Sequence, residues 1–269
     1  FLKYICYWLV IFNFTRLIFL TYYYQSLKDV SFSELISMPY HAFMLDISMI
    51  SYLIALPLLL IVIQHFITQK FALKFIKFYS LIIASLYLMI SAAEINLYGE
   101  WQTKIDYRAV VYLSQPSEVF ETATYTQTII FFVYLFVAMF LVNKLYNAIV
   151  PKQIELEAER FLYKTIKSFS LLTLGALMIT LGIRGGIQQI PINQSWSYYS
   201  HNNTINLASV NSMWNLLGSV YQNAATLNNN PYNTLTIDIA KSQVNNLHEV
   251  KKDTTIQFLN SKNPNIVFL

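Results

Sequence analysis

The sequence predicts an all-α polytopic membrane protein with five transmembrane helices, and three observations lead to that prediction. Hydrophobic residues make up 55% of the 269 residues and charged residues only 12%, whereas soluble domains carry about 25% charged residues. Five apolar stretches come close to the roughly 20 residues that a helix needs to cross a bilayer. A polar tail rich in Asn, Ser, Thr and Gln follows the last stretch.

The five spans are separated by short polar or basic segments, which set their approximate limits. We place them near Tyr4–Tyr22, Ala42–Ile63, Phe75–Ile95, Thr128–Leu145 and Ile166–Ile183. The division into domains follows from them. Residues 1–183 form the transmembrane domain, 184–262 a helical linker outside the membrane, and 263–269 the first strand of a further domain.

Basic residues in the short loops predict the orientation of the spans, since Lys and Arg collect on the cytoplasmic side. The loop between spans two and three carries Lys70, Lys74 and Lys77, and the connection between spans four and five is also basic. The N-terminus is therefore expected in the cytoplasm and everything after residue 183 outside it. The net charge of +4 is modest, and its basic residues flank apolar spans, so we expect no nucleic-acid surface.

The loop after span three has the composition of short helices lying at the water–lipid boundary, where Tyr and Trp are enriched. Its aromatic residues are Tyr98, Trp101, Tyr107 and Tyr112. The segment 115–118 looks like a further helix start, with Pro in the first turn and Glu near the positive helix end.

The polar tail contains two amphipathic segments and ends on a short apolar run. In TINLASVNSMWNLLGSVY (204–221) the helical spacing of Leu207, Val210, Trp214, Leu217 and Tyr221 predicts one helix. TLTIDIAKSQVNNLHEV (234–250) predicts a second. The final NPNIVFL (263–269) reads as a buried β-strand behind a turn.

Four ionisable side chains are predicted to lie near the outer membrane surface. Arg16 lies roughly 9 Å and Asp46 roughly 6 Å below that surface, on adjacent antiparallel spans. Glu94 and Arg184 lie at the outer ends of spans three and five. Because an unpaired charge in hydrocarbon costs about 2.5–3.5 kcal/mol, we expect Arg16 and Asp46 to pair.

Two interpretations of these charges remain open. The pair either only fixes how the helices dock or belongs to a polar pocket that receives a lipid head group. Arg108 and Arg184 are the phosphate-binding candidates, because a guanidinium can donate two parallel hydrogen bonds to a phosphate. The candidate substrate-binding residues are Arg16, Asp46, Glu94, Trp101, Arg108 and Arg184.

The sequence offers no recognisable reaction centre or metal site. Its single cysteine, Cys6, excludes an internal disulfide and a cysteine-rich metal site. The four histidines lack the spacing of a helical metal site, and neither a phosphate loop nor a nucleophile elbow occurs. We therefore predict no catalytic residue, metal ligand or cofactor in this chain.

Several stretches resemble one bacterial family. IRGGIQQIPINQSWSYYS followed by INLASVNSMWNLLGSVY resembles the exit from the last span of lipoteichoic-acid-synthase-like proteins, which belong to the alkaline phosphatase/sulfatase superfamily. NPNIVFL resembles the first strand of their catalytic domain, and LDISMISYL and the E-x-x-x-Y stretch from Glu94 to Tyr98 are similar to their membrane part. The order of these stretches after five spans strengthens the resemblance.

The resemblance implies transfer of a phosphoglycerol or related phospho-alcohol group from a membrane phospholipid at the outer face of the bacterial cytoplasmic membrane. It implies a covalent phospho-threonine and a divalent metal such as manganese, both in an α/β catalytic domain beyond Leu269. The chain would then be the membrane and linker portion of a longer enzyme. Its partners would be a phospholipid and its own catalytic domain, with oligomerisation open. The alternatives are a small transporter or channel and a non-catalytic membrane subunit of an envelope assembly or transport complex.

Overall fold

A computed structural model describes residues 1–63, 68–113, 125–151, 161–228 and 235–248. These residues form α-helices and two short 3-10 helices, Tyr24–Leu27 and Gln194–Ser197, and contain no β-strand. The α-helices are α1 Leu2–Tyr22, α2 Phe32–Ile63, α3 Gln69–Trp101, α4 Tyr107–Leu113, α5 Tyr125–Ile149, α6 Phe161–Arg184, α7 Asn203–Ser209, α8 Ser212–Asn228 and α9 Ile237–Leu247.

Five of these helices, α1, α2, α3, α5 and α6, are long and apolar enough to cross a membrane. The five predicted spans are confirmed, and they indicate a multi-pass membrane protein. Each helix contains its predicted span and extends past it at one or both ends. The prediction followed the apolar stretch alone, whereas helical hydrogen bonding continues into the polar residues on either side.

The long helices alternate in direction, so their polar ends lie together on one side of the bundle. α1 and α3 run parallel, joined by hydrogen bonds between Tyr4 and Ser80 and between Thr15 and Tyr87, both 2.8 Å. α2 runs against them and packs closely on α6, with Ser48 Oγ donating to the carbonyl of Ile183 at 2.8 Å. The C-terminal ends of α1, α3 and α6 lie beside the N-terminal end of α2. We call this side of the bundle the polar end.

Away from the polar end, the bundle core is apolar and rich in aromatic rings. Tyr7, Trp8, Phe12 and Tyr87 are all at most 1% exposed. The Phe12 and Tyr87 rings lie 4.7 Å apart between centroids, which ties α1 to α3. The opposite faces of α5 and α6 expose large apolar side chains such as Phe136, which suits a lipid environment.

The chain leaves α6 through two glycines whose backbone angles other residues rarely adopt. Gly185 and Gly186 have φ angles of 81° and 128°, a region that disfavours residues with a Cβ. A Cβ on Gly185 would lie 2.6 Å from the Cβ of Ile192. After this turn the chain folds back toward the bundle.

The predicted single helix over 204–221 is wrong. The chain breaks at Val210, whose φ and ψ of −73° and 133° are extended, and so α7 and α8 are separate. Asn211 causes the break, since its side-chain oxygen accepts a hydrogen bond from the N–H of Trp214 at 3.2 Å and caps α8. Leu217 and Tyr221 consequently lie largely exposed, at 49% and 85%.

Residues 1–223 form one compact unit, and the residues from Ala224 form a second. The segment after α6 is therefore packed into the helical unit well past residue 183, where the sequence suggested a domain boundary. In the second unit, α9 forms the helix predicted within 234–250. Three predicted features lie outside the described residues: the helix start at 115–118, most of the connection between spans four and five, and the strand 263–269.

Candidate functional site

The predicted pairing of Arg16 and Asp46 is confirmed, and it forms the centre of a buried polar cluster at the polar end. The guanidinium donates two parallel hydrogen bonds to the carboxylate, Nη1 to Oδ2 at 2.7 Å and Nη2 to Oδ1 at 2.5 Å. The two residues are only 4% and 1% exposed. A bidentate geometry of this kind offsets part of the cost of removing both charges from water.

The segment after α6 completes the hydrogen bonding of this pair. Arg16 Nε donates to the carbonyl of Ala208 at 3.0 Å, and Nη2 approaches the carbonyl of Ser209 at 3.4 Å. Both carbonyls lie in the last turn of α7, where helix carbonyls lack intrahelical partners. Asn211 Nδ2 donates to Asp46 Oδ1 at 2.8 Å. The end of α7 and Asn211, two residues after it, thus enclose the ion pair.

A second buried ion pair joins α3 to the loop that follows it. Lys104 Nζ lies 2.6 Å from Glu94 Oε1, and the hydroxyl of Ser212 donates to Glu94 Oε2. Lys104 is 7% exposed and Glu94 is 3% exposed. Burial lowers the pKa of Lys104 and the Glu94 carboxylate opposes that shift. Glu94, like Asp46, is therefore held by a residue at the start of α8.

Uncharged hydrogen bonds continue the contact on both sides of the ion pairs. Tyr98 donates to Thr204 at 3.0 Å, which fastens the first turn of α7 to α3. Trp214 Nε1 donates to Ser48 on α2 at 3.1 Å, and Asn215 Nδ2 donates to the carbonyl of Ile105 at 2.8 Å. Every long helix at this end except α5 is thus tied, directly or through a shared residue, to the segment 203–215.

The remaining three candidates lie outside the buried cluster. Arg108 is half exposed and forms an ion pair with Asp106, two residues away, at 2.7 Å. Its guanidinium carbon lies 5.2 Å from the centre of the half-buried Trp101 ring. Hydrogen bonding to Asp106 raises the pKa of Arg108. Arg184 is exposed and donates to the carbonyls of Gln188 and Gln189 at 3.0 and 2.9 Å. The structure thus brings together Arg16, Asp46 and Glu94, and leaves the other three at the surface.

The sequence reasoning missed three members of the cluster: Lys104, Asn211 and Ser212. Lys104 lies in the loop after span three, outside the apolar stretches in which charges were sought. One signal could have found Lys104: an embedded carboxylate such as Glu94 needs a cation, and Lys104 is close to Glu94 in sequence. Asn211 and Ser212 carried no signal, because the tail is rich in both residue types.

Chemically, the cluster is a closed connection and not an open pocket, because its charged groups are paired and buried. Among the residues that the structure describes, no group of three or more His, Cys, Asp or Glu side chains could hold a metal ion. The divalent metal that the resemblance implies would therefore be held by residues other than those that the structure describes.

Comparisons with known proteins leave this chain without an identified relative. No family model matches it, and neither the curated proteins nor the solved structures gave a match.

Proposed function

We propose that this chain is the membrane anchor and lipid-facing part of a cell-envelope transferase that takes a phosphoglycerol or related phospho-alcohol group from a phospholipid. The reaction would occur at the outer face of the bacterial cytoplasmic membrane, with the N-terminus in the cytoplasm and the polar end outside. A covalent phospho-threonine and a divalent metal would belong to a catalytic domain following this chain. The sequence resemblance motivates this proposal.

One structural observation supports it most: the segment leaving the last span is fastened to the bundle through the Arg16–Asp46 pair. A flexible tether would leave Ala208, Ser209 and Asn211 in water. Here they complete the hydrogen bonding of a buried ion pair, so their departure would leave polar atoms of that pair without these partners. The anchor therefore fixes where the following residues emerge.

A fixed exit suits an enzyme whose substrate is the membrane itself. Holding a catalytic domain at a constant height above the lipid head groups raises the effective concentration of the donor and limits its orientation. The anchor would thus act by positioning the catalytic domain, and no residue of the buried cluster needs to touch the substrate.

Among the surface candidates, Arg184 fits a lipid phosphate better than Arg108. Arg108 already shares its guanidinium with the carboxylate of Asp106, which a phosphate would have to displace. Among the described residues, the partners of Arg184 are neutral carbonyls, and a phosphate accepts stronger, charge-assisted hydrogen bonds than a carbonyl does. Arg184 at the polar end is the residue we assign to head-group contact.

The test uses the full encoded protein in vesicles of phosphatidylglycerol with Mn²⁺, and follows the release of diacylglycerol. We expect release, and we expect Arg184→Ala to raise KM several-fold. Lys28→Ala is the matched control, because Lys28 is an exposed cation elsewhere at the polar end and should leave KM unchanged. Absence of diacylglycerol release from any phospholipid donor would refute the proposal and favour the alternative, a non-catalytic membrane subunit of an envelope assembly or transport complex.

A further inference from the structure

A groove with basic walls lies at the end of the bundle opposite the polar end, between the start of α3 and the end of α5. Its volume is about 700 Å³. Lys77 Nζ bridges its two sides by donating to Asn147 Oδ1 at 2.8 Å. The described residues that line it are Gln69, Lys70, Leu73, Lys74, Lys77, Tyr146, Asn147, Val150 and Pro151.

No carboxylate among the residues that the structure describes neutralises the positive charge of this groove. Lys70, Lys74 and Lys77 are spaced by four and three residues, so they lie on one face of α3. None of the described residues that line the groove is Asp or Glu, and none of the ion pairs found among the described residues involves these lysines. The start of α3 adds the positive end of its helix dipole. The groove therefore favours an anion.

The neighbouring surface of α3 is apolar, which indicates an amphiphilic anion. Phe71, Phe75 and Phe78 repeat the lysine spacing one residue later, so they form the adjacent face of the same helix. Their exposed fractions are 59%, 39% and 61%. A phosphate-bearing head group beside acyl chains matches a cationic face beside an apolar face, whereas a free phosphate would use only the first.

The level of the groove in the membrane agrees with a lipid ligand. A helix of 33 residues such as α3 is ~50 Å long, and it therefore extends beyond the ~30 Å hydrocarbon core of a bilayer. The three lysines lie in its first turns, where the head groups are. Basic pockets between transmembrane helices at this level are suited to anionic head groups.

We propose that this groove binds the head group of an anionic phospholipid, with Lys70, Lys74 and Lys77 contacting its phosphate and the phenylalanine face contacting its acyl chains. The site does not depend on the transferase function, because it lies at the end of the bundle opposite the Arg16–Asp46 cluster. It assigns to these lysines a binding role beyond their effect on membrane orientation.

The test measures lipid retention by native mass spectrometry of the full protein from nanodiscs of phosphatidylcholine doped with phosphatidylglycerol. Each lysine near an anionic lipid contributes about fivefold to affinity, so replacing all three lysines by Gln should weaken phosphatidylglycerol retention on the order of a hundredfold. Replacing them by Arg should preserve it. The matched control removes three other lysines near the same end of the long helices: Lys3, Lys144 and Lys164.

Three outcomes would overturn the proposal. The control variant could lose as much phosphatidylglycerol as the groove variant, phosphatidylcholine could be retained equally well, or free glycerol phosphate could bind as tightly as the lipid. If the triple Gln variant does not fold, Lys74→Gln replaces it, because Lys74 is exposed. This single variant should lose about fivefold, and unchanged retention would equally refute the proposal.

Discussion

Arg16 on α1 and Asp46 on α2 form a bidentate ion pair that is closed from outside the bundle by the end of α7 and by Asn211. The pair therefore does two things at once. It joins two membrane helices, and it gives the segment after α6 a specific place to bind.

Replacing Asp46 by Asn should destabilise the protein by about 3 kcal/mol, because it leaves the Arg16 charge buried without a counter-charge. The matched control is Asp106→Asn, which breaks the half-exposed pair with Arg108 and should cost less than about 1 kcal/mol. Unfolding in mixed detergent micelles, followed by circular dichroism, measures both values. Replacing Arg16 by Met and Asp46 by Leu together should recover much of the loss, since no buried charge remains. Equal losses for Asp46→Asn and Asp106→Asn would contradict the buried pair.

Replacing Lys104 by Met should destabilise the protein by about 3 kcal/mol, because Glu94 would keep only the hydrogen bond from Ser212 as a described partner. Adding Glu94→Gln should restore more than half of that loss, since a neutral amide can still accept the Ser212 hydrogen bond. The same unfolding measurement compares the single and double variants. A double variant no more stable than Lys104→Met would show that the Glu94 charge is not what makes Lys104 necessary.

Replacing Gly182 by Ala should weaken the packing of α6 on α2 and cost about 1–3 kcal/mol. A Cβ at this position would clash with the side chain of Ser51. Gly218 in α8 is the matched control, because a Cβ there meets nothing within 4 Å. Gly218→Ala should stabilise the protein by up to about 1 kcal/mol through helix propensity. Thermal unfolding in detergent distinguishes the two, and a neutral Gly182→Ala would disprove the close α2–α6 approach.

The orientation of the bundle can be read by cysteine labelling in a Cys6→Ser background. Gln25→Cys, at the polar end, should react with a membrane-impermeant maleimide added to intact spheroplasts. Ala148→Cys, near the end of α5, should react only after permeabilisation. Both positions are exposed, so accessibility to the reagent depends on the side of the membrane. The reverse pattern would place the polar end in the cytoplasm and overturn the site of the proposed reaction.

A large part of the membrane fold could be predicted from the sequence, because its main determinant is local. An apolar stretch of sufficient length becomes helical in a membrane, where every backbone N–H and C=O needs a partner. The extent of each helix was less predictable: α2 begins at Phe32 and α3 continues to Trp101, well past their apolar stretches. Polar helix ends give no hydropathy signal.

The Arg16–Asp46 contact was also predictable, since matching depth on adjacent antiparallel spans and the cost of an unpaired charge left few other partners. The break between α7 and α8 was not. The helical spacing of Leu207, Val210 and Trp214 predicted one helix, but Asn211 uses its side chain twice, as a cap for Trp214 and as a donor to Asp46. That second bond joins residues 165 positions apart, and no local pattern encodes it.

The sequence by itself determined five helices long and apolar enough to span a membrane, and the two charges that meet near one end of them. The tertiary structure decided that the segment after α6 folds back, that Lys104 and Ser212 satisfy Glu94, and that the polar cluster is closed. The physical reason is how far apart along the chain the interacting residues are. Helix formation and membrane insertion depend on neighbouring residues, whereas satisfying a buried charge depends on whichever groups the whole fold brings within hydrogen-bonding distance.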